Sequence, residues 1–144
     1  MVLAYHRLEL KRKGNLMALK KIIHSNSAAA PVGPYSQATL AGGFLFCSGQ
    51  IAIDPRDNSV LKGSVEEQAE LVMKNIQAVL QAGGLDFSHI VKTTIYLTDM
   101  NDFAKVNEVY GRYFVSEPPA RSTVAVSALP KGVNVEVEVL AYRG

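Results

Sequence analysis

The chain of 144 residues holds one cysteine, Cys47, and that scarcity excludes an intramolecular disulfide and any metal site built from several thiolates. Within Phe44-Leu45-Phe46-Cys47-Ser48 the thiol reads as a small core residue rather than a nucleophile. It fits a reducing, cytoplasmic setting. His6, His24 and His89 are scattered without ligand spacing, so no metal is expected. Gly42-Gly43 is too short for a phosphate loop and no helix follows it. No apolar run approaches the roughly 18 residues that a membrane-spanning helix needs. Internal repeats, linkers and low-complexity tracts are also missing.

Basic charge is scarce where it would matter most. The formal net charge is +2, from 15 basic and 13 acidic residues. Residues 1–16 hold Arg7, Lys11, Arg12 and Lys13 against Glu9, which leaves 11 basic and 12 acidic residues for the rest. A nucleic-acid surface would show a basic stripe on the folded body, so nucleic acid is not expected as a partner. The basic stretch lacks the apolar core and small-residue cleavage pattern of a secretory signal, and Glu9 and the lack of serine speak against a transit peptide. Met17-Ala18-Leu19-Lys20-Lys21 reads as a natural start. The expected organisation is therefore a basic extension over 1–16 and a single domain over 17–144.

What the chain does contain is a clear pattern of elements. With 48% hydrophobic and 19% charged residues it is globular rather than disordered. Lys20 to His24 predicts a first strand. Ser36 to Leu40 and Phe44 to Ile53 predict a hairpin around Ala41-Gly42-Gly43, where glycine supplies the positive φ of a tight turn. Ser64 and Glu67 have capping-box spacing and open a helix through Ala69, Val72, Met73, Ile76, Val79 and Leu80, which Gly83-Gly84 ends. Ile90 to Thr98 predicts a strand with Val91, Thr93, Ile95 and Leu97 on one face. Asp99 or Asn101 caps a second helix, whose apolar side is Phe103, Val106, Tyr110, Tyr113 and Phe114. Ser122 to Ala128 and Val133 to Tyr142 complete a six-stranded mixed sheet. Two helices can cover only one of its faces. The other is expected to carry Ser48, Gln50, Glu136, Glu138, Leu140 and Tyr142, and to invite burial against another subunit.

The most informative stretch is the last quarter. Arg121 follows a stiff Pro118-Pro119-Ala120 lead-in, Pro130-Lys131-Gly132 turns the chain, and Val133 to Val139 alternate with Asn134, Glu136 and Glu138. A sheet can thereby display a guanidinium and one or two carboxylates as fixed side chains. That set suits a small anionic substrate, because arginine grips a carboxylate bidentately and a glutamate can handle a water or a proton. Spacing alone does not choose between Glu136 and Glu138.

This ending resembles the Rid (reactive intermediate deaminase, RidA/YjgF-like) family. The same resemblance extends from about Lys20 to Arg143 through Val32-Gly33-Pro34-Tyr35-Ser36-Gln37-Ala38, Cys47-Ser48-Gly49-Gln50-Ile51, Val91-Lys92-Thr93-Thr94, and Asn101-Asp102-Phe103 with Val106-Asn107. The resemblance implies a chorismate-mutase-like α+β fold, assembled as a homotrimer with sites in clefts between subunits. It further implies cofactor-free hydrolysis of 2-iminobutanoate and 2-iminopropanoate, the imino tautomers of enamines such as 2-aminoacrylate, to 2-keto acids and ammonia. Arg121 would hold the carboxylate and Glu136 the attacking water. Tyr35, Ser48, Gly49, Asn107 and Thr123 would line the substrate. Each has a plainer reading: a loop aromatic for Tyr35, a β-bulge for Ser48-Gly49, and, for Asn107, four residues after Phe103 on the apolar side of the second helix, a buried structural amide bonding a loop. Thr123 stands where several relatives carry cysteine, so a side-chain nucleophile at that position is not general. A non-catalytic trimer that binds small carboxylates is the main alternative function. An RNA-directed translation inhibitor or ribonuclease is a weaker one.

Overall fold

The computed structural model describes residues 19–144, so the expected extension over 1–16 and the start at Met17 lie outside the described residues. Strands β1 (Lys21–Ile23), β2 (Ala38–Ala41) and β3 (Phe44–Gln50) come first, followed by helix α1 (Val65–Ala82). Strand β4 (Ile90–Leu97), helix α2 (Phe103–Gly111), β5 (Ala120–Ala125) and β6 (Val135–Tyr142) complete the fold. The six strands form one sheet in the order β1-β2-β3-β6-β4-β5. Every neighbouring pair is antiparallel except β4 and β5, so the sheet is mixed, as expected. Most predicted boundaries fall within a few residues of those observed.

Local chemistry explains the elements. Ser64 accepts from the Glu67 N–H while the Glu67 carboxylate accepts from the Ser64 N–H at 2.8 Å, the reciprocal cap that the spacing predicts. Along α1, Val72, Met73, Ile76, Val79 and Leu80 are fully buried against the sheet. Each such side chain contributes about 1.5–3 kcal/mol by leaving water. Gly42 and Gly43 take φ of 57° and 83° at the β2–β3 turn, where a Cβ would be strained. Asp99 caps a 3-10 turn over Met100–Asp102 through the Asn101 N–H, and α2 begins only after it. Tyr113 and Phe114 lie beyond the end of α2 and pack on Phe87 at centroid distances of 5.0 and 5.6 Å.

Two predictions of facing are corrected by β-bulges. The β4–β6 register shifts between Ile90 and Lys92. Ile90 is therefore buried and Val91, expected inside, is 43% exposed, while Thr93, Ile95 and Leu97 point inward as predicted. A second shift, between Cys47 and Gln50, turns Gln50 away from the open face and into the core. Strict alternation does not reveal an inserted residue, so the sequence alone misplaces one residue at each bulge.

β6 is held in place from the helix layer. The buried Gln68 on α1 donates from Nε2 to Asn134 Oδ1, and its Oε1 accepts the Asn134 N–H, both at 2.9 Å. This pair pins the entrance of β6, where Val135, Val137 and Val139 point into the core and Glu136 and Glu138 point out.

Candidate active site

The open face of the sheet bears the first group of predicted residues. On β3 the pair Ser48-Gly49 stands opposite a single residue of β6, and this bulge brings Gly49 against Glu136. A Cβ built on Gly49 would lie 2.0 Å from Glu136 Oε1, 2.9 Å from Cδ and 3.1 Å from Cγ. Glycine at this position thus leaves the room in which the Glu136 carboxylate lies against the backbone. Glu136 is half-buried, and its carboxyl is held above the usual glutamate range, first by that burial and then by the charge of Glu138. Glu138 is more exposed and receives a hydrogen bond from the Tyr96 hydroxyl at 3.0 Å. The two carboxylates that spacing leaves equivalent are therefore different in environment. One borders a glycine bulge with a raised pKa, and the other is tied to a tyrosine.

Gly49→Ala is expected to fold, because the displaced atoms belong to a flexible side chain. The Glu136 carboxyl should swing toward solvent and its pKa should fall toward the ordinary value. A carbon-detected NMR titration of Glu136 in the two proteins measures this. An unmoved titration would show that the bulge does not set the carboxyl's environment.

Next to the bulge lies a cleft of about 370 Å³, lined by Lys20, Pro34, Tyr35, Ser36, Phe46 and Ser48 among others. Tyr35 is 47% exposed, and its hydroxyl accepts from the Val32 N–H at 3.1 Å. Ser48 donates its hydroxyl to Ser36 O at 2.6 Å and its N–H to Gln37 O at 2.9 Å. Both Ser48 donors are thus engaged within the chain, and the hydroxyl can offer a ligand only its acceptor side. Gln37, buried to 1% exposure, was not singled out from the sequence. Its side chain accepts from Ser25 N–H at 2.7 Å and donates to Ser25 O and Ala29 O at 3.0 and 2.8 Å. It thereby ties the loop before Tyr35 to the sheet. Its buried state was the signal that sequence could not provide.

The second group lies across the sheet. Arg121 on β5 has Thr93 as its Cα partner, and Thr93 faces the helices. The guanidinium accordingly turns toward α2, where Nη1 donates to Asn107 Oδ1 at 2.7 Å. Its Cζ lies 5.0 Å from the ring centroid of Tyr110 and 5.6 Å from that of Phe103. Asn107 is exposed rather than buried as expected, and its partner is the arginine itself. Thr123, two residues along β5, keeps Oγ1 buried without a hydrogen-bond partner among the described residues.

The chain does not bring these groups together. In register, Arg121 pairs with Thr93, which pairs with Val139, three residues from Glu136. Strand spacing and rise put the Arg121 and Glu136 Cα atoms about 14 Å apart, with side chains on opposite faces. Among the described residues no three His, Cys, Asp or Glu side chains come together as a metal-ligand set, and no helix is long and apolar enough to cross a membrane.

The fold is thus a half-covered α+β sheet that carries a carboxylate at a glycine bulge and a tethered arginine on its edge strand. The sequence and structural relatives make the assignment specific. The profile described as Endoribonuclease L-PSP matches residues 25–143. The chain is 57% identical to Protein DfrA of Myxococcus xanthus, over 85% of this chain and 95% of that protein. It is 44% identical to the human 2-iminobutanoate/2-iminopropanoate deaminase, over 88% of this chain and 92% of that one. Among solved structures, the conserved Rid-family protein YyfA from Yersinia pestis superimposes with a TM-score of 0.84 at 47% identity, over 85% of this chain and 98% of the other. The chain belongs to the Endoribonuclease L-PSP family, the RidA/YjgF-like group.

Proposed function

We propose that this protein is a hydrolytic deaminase of reactive 2-imino acids, converting 2-iminobutanoate and 2-iminopropanoate to 2-keto acids and ammonia. The human relative that carries this activity in its name aligns with 88% of the chain. The observation that carries the chemical reading is the Glu136 carboxyl, half-buried at the Gly49 bulge with its pKa raised toward the range of a useful general base.

The functional unit in this proposal is a homotrimer with sites between subunits. Two features support it. Phe44, Phe46 and Tyr142 stand 38%, 51% and 44% exposed on the sheet face that the helices leave open. Arg121 and Glu136 of one chain face opposite sides of the sheet, so a single subunit offers each half of a site without its complement.

Arg121 then binds the substrate carboxylate by charge-assisted hydrogen bonds. The backbone at Thr123 and the partner subunit's Gly49 N–H orient it, and the partner's Tyr35 and the partner's Ser48 line the cleft. Glu136 of the partner subunit holds a water against the imine carbon and takes a proton as the C–O bond forms. It passes that proton to the imine nitrogen, and the product is a neutral carbinolamine. The freed carboxylate then takes the carbinolamine hydroxyl proton and delivers it to the amino nitrogen, the C–N bond breaks, and ammonia leaves as the C=O forms. The imine is already electrophilic, so orientation and one proton carrier suffice. The proposed setting is the cytoplasm, where the buried Cys47 thiol stays reduced.

The test generates 2-iminobutanoate in situ and follows its decay with and without protein, while light scattering reports mass. A trimer that accelerates decay is the expected result. A stable, fully active monomer would overturn the divided site. A trimer that binds 2-ketobutyrate without accelerating decay would make it a carboxylate-binding module.

A further inference from the structure

We infer that Phe103, Asn107 and Tyr110 form a positioning cradle on α2 that fixes the Arg121 guanidinium for carboxylate binding. The inference rests on the reading of Arg121 given above. An arginine on an exposed edge strand ordinarily samples many rotamers. Here the three helix residues recur at spacings of four and three, so they share one face of α2. Two rings of that face meet the cation, at 5.6 and 5.0 Å, and the Asn107 amide oxygen accepts from Nη1 at 2.7 Å. The contacts are of two kinds, and each restrains a different motion. The rings oppose lifting of the planar group away from α2. The amide oxygen opposes its rotation in plane, because it selects one of the five donors. The other donors remain for a carboxylate.

The cradle is itself anchored. The Tyr110 ring is 6% exposed, and its hydroxyl meets Thr93 Oγ1 at 2.7 Å in a buried hydrogen bond. Thr93 is the Cα partner of Arg121 on the neighbouring strand. The same threonine therefore sets the backbone position of the arginine through the ladder and the position of the ring beneath it through a hydroxyl. Asn107, whose oxygen is engaged by Arg121, acts in this scheme through the arginine and not on the substrate.

Asn107 and Phe103 are both exposed, so their variants are suitable for the test. Asn107→Ala should raise KM for 2-iminobutanoate about fivefold, the scale of one charge-assisted hydrogen bond partly offset by solvent. Its kcat should stay within about twofold, because the carboxylate is held alike in substrate and transition state. Phe103→Leu should raise KM about threefold, the scale of an exposed cation–π contact, and Phe103→Tyr should restore it. In an Arg121→Ala background, Asn107→Ala should cause no further loss of kcat/KM. An unchanged KM in Asn107→Ala would overturn the cradle. So would a fall in kcat equal to the fall in kcat/KM, or a loss that persists in the Arg121→Ala background. Unchanged affinity of Arg121→Ala for 2-ketobutyrate, measured by calorimetry, would instead sink the assignment of Arg121 on which the cradle depends.

Discussion

Glu136→Gln is expected to bind 2-ketobutyrate with nearly native affinity while turnover of 2-iminobutanoate falls by about 10²-fold or more, the usual scale of a lost general base. Glutamine preserves the volume that fills the space above Gly49 but cannot take a proton. Glu138→Gln should have a milder effect, since that carboxylate is occupied by Tyr96. The pH profile separates the two further. Burial and then Glu138 raise the Glu136 pKa, so activity should decline as the pH falls through that raised value. In Glu138→Gln the charge contribution is gone and the burial remains, so the acid limb should move to lower pH. The stability sign is opposite to the catalytic one. A carboxyl whose folded pKa is raised favours the fold below its unfolded pKa, and that contribution is lost as the pH rises through the folded pKa. Glu136→Gln should therefore be at least as stable as the wild type near neutrality, and thermal denaturation at the assay pH checks this. A large loss in Glu138→Gln beside an active Glu136→Gln would reverse the assignment of the two carboxylates.

Two proteins with only residual activity should regain it when mixed. Arg121→Ala loses both the charge and the planar fork, and should bind 2-ketobutyrate worst of all while keeping a small residual turnover. Arg121→Lys keeps only the charge and should bind weakly. If each site takes its arginine from one subunit and its glutamate from the next, an Arg121→Ala chain still supplies Glu136 and a Glu136→Gln chain still supplies Arg121. Unfolding and refolding an equal mixture of the two should restore about one quarter of the native sites by random assembly around a cyclic trimer. Activity measured before and after exchange gives the answer directly. No recovery, with hybrid trimers demonstrated by mass spectrometry, would require both groups to act from the same subunit.

Much of this arrangement is legible in the sequence because local rules dominate it. The Ser64–Glu67 box, the helical period of α1 and the valine alternation of β6 each encode their structure within a few residues, and all three are observed. Val91 and Gln50 were misplaced for a common reason: a bulge is a property of the pairing between two strands, and neither strand shows it alone. The candidate site follows the same division. Residue types and motifs were visible, but the difference between Glu136 and Glu138 depends on Gly49 and Tyr96, which reach them from β3 and β4. Asn107 was expected in the core because it keeps the spacing of an apolar helix face. At this point the face meets the edge strand β5, where an exposed Arg121 rather than a buried group is the partner.

Cys47 gives the fold an internal clock. It is the sole cysteine of the chain, 7% exposed, with burial pushing its thiol up to about 12. In the closed sheet the sulfur therefore stays a thiol at neutral pH, the form that does not attack a disulfide reagent. Labelling must await local opening around β3, which pairs at Cys47 with β2 on one side and with β6 on the other. The rate of thiol capture consequently reads the opening equilibrium around one strand, in every variant, without an added probe.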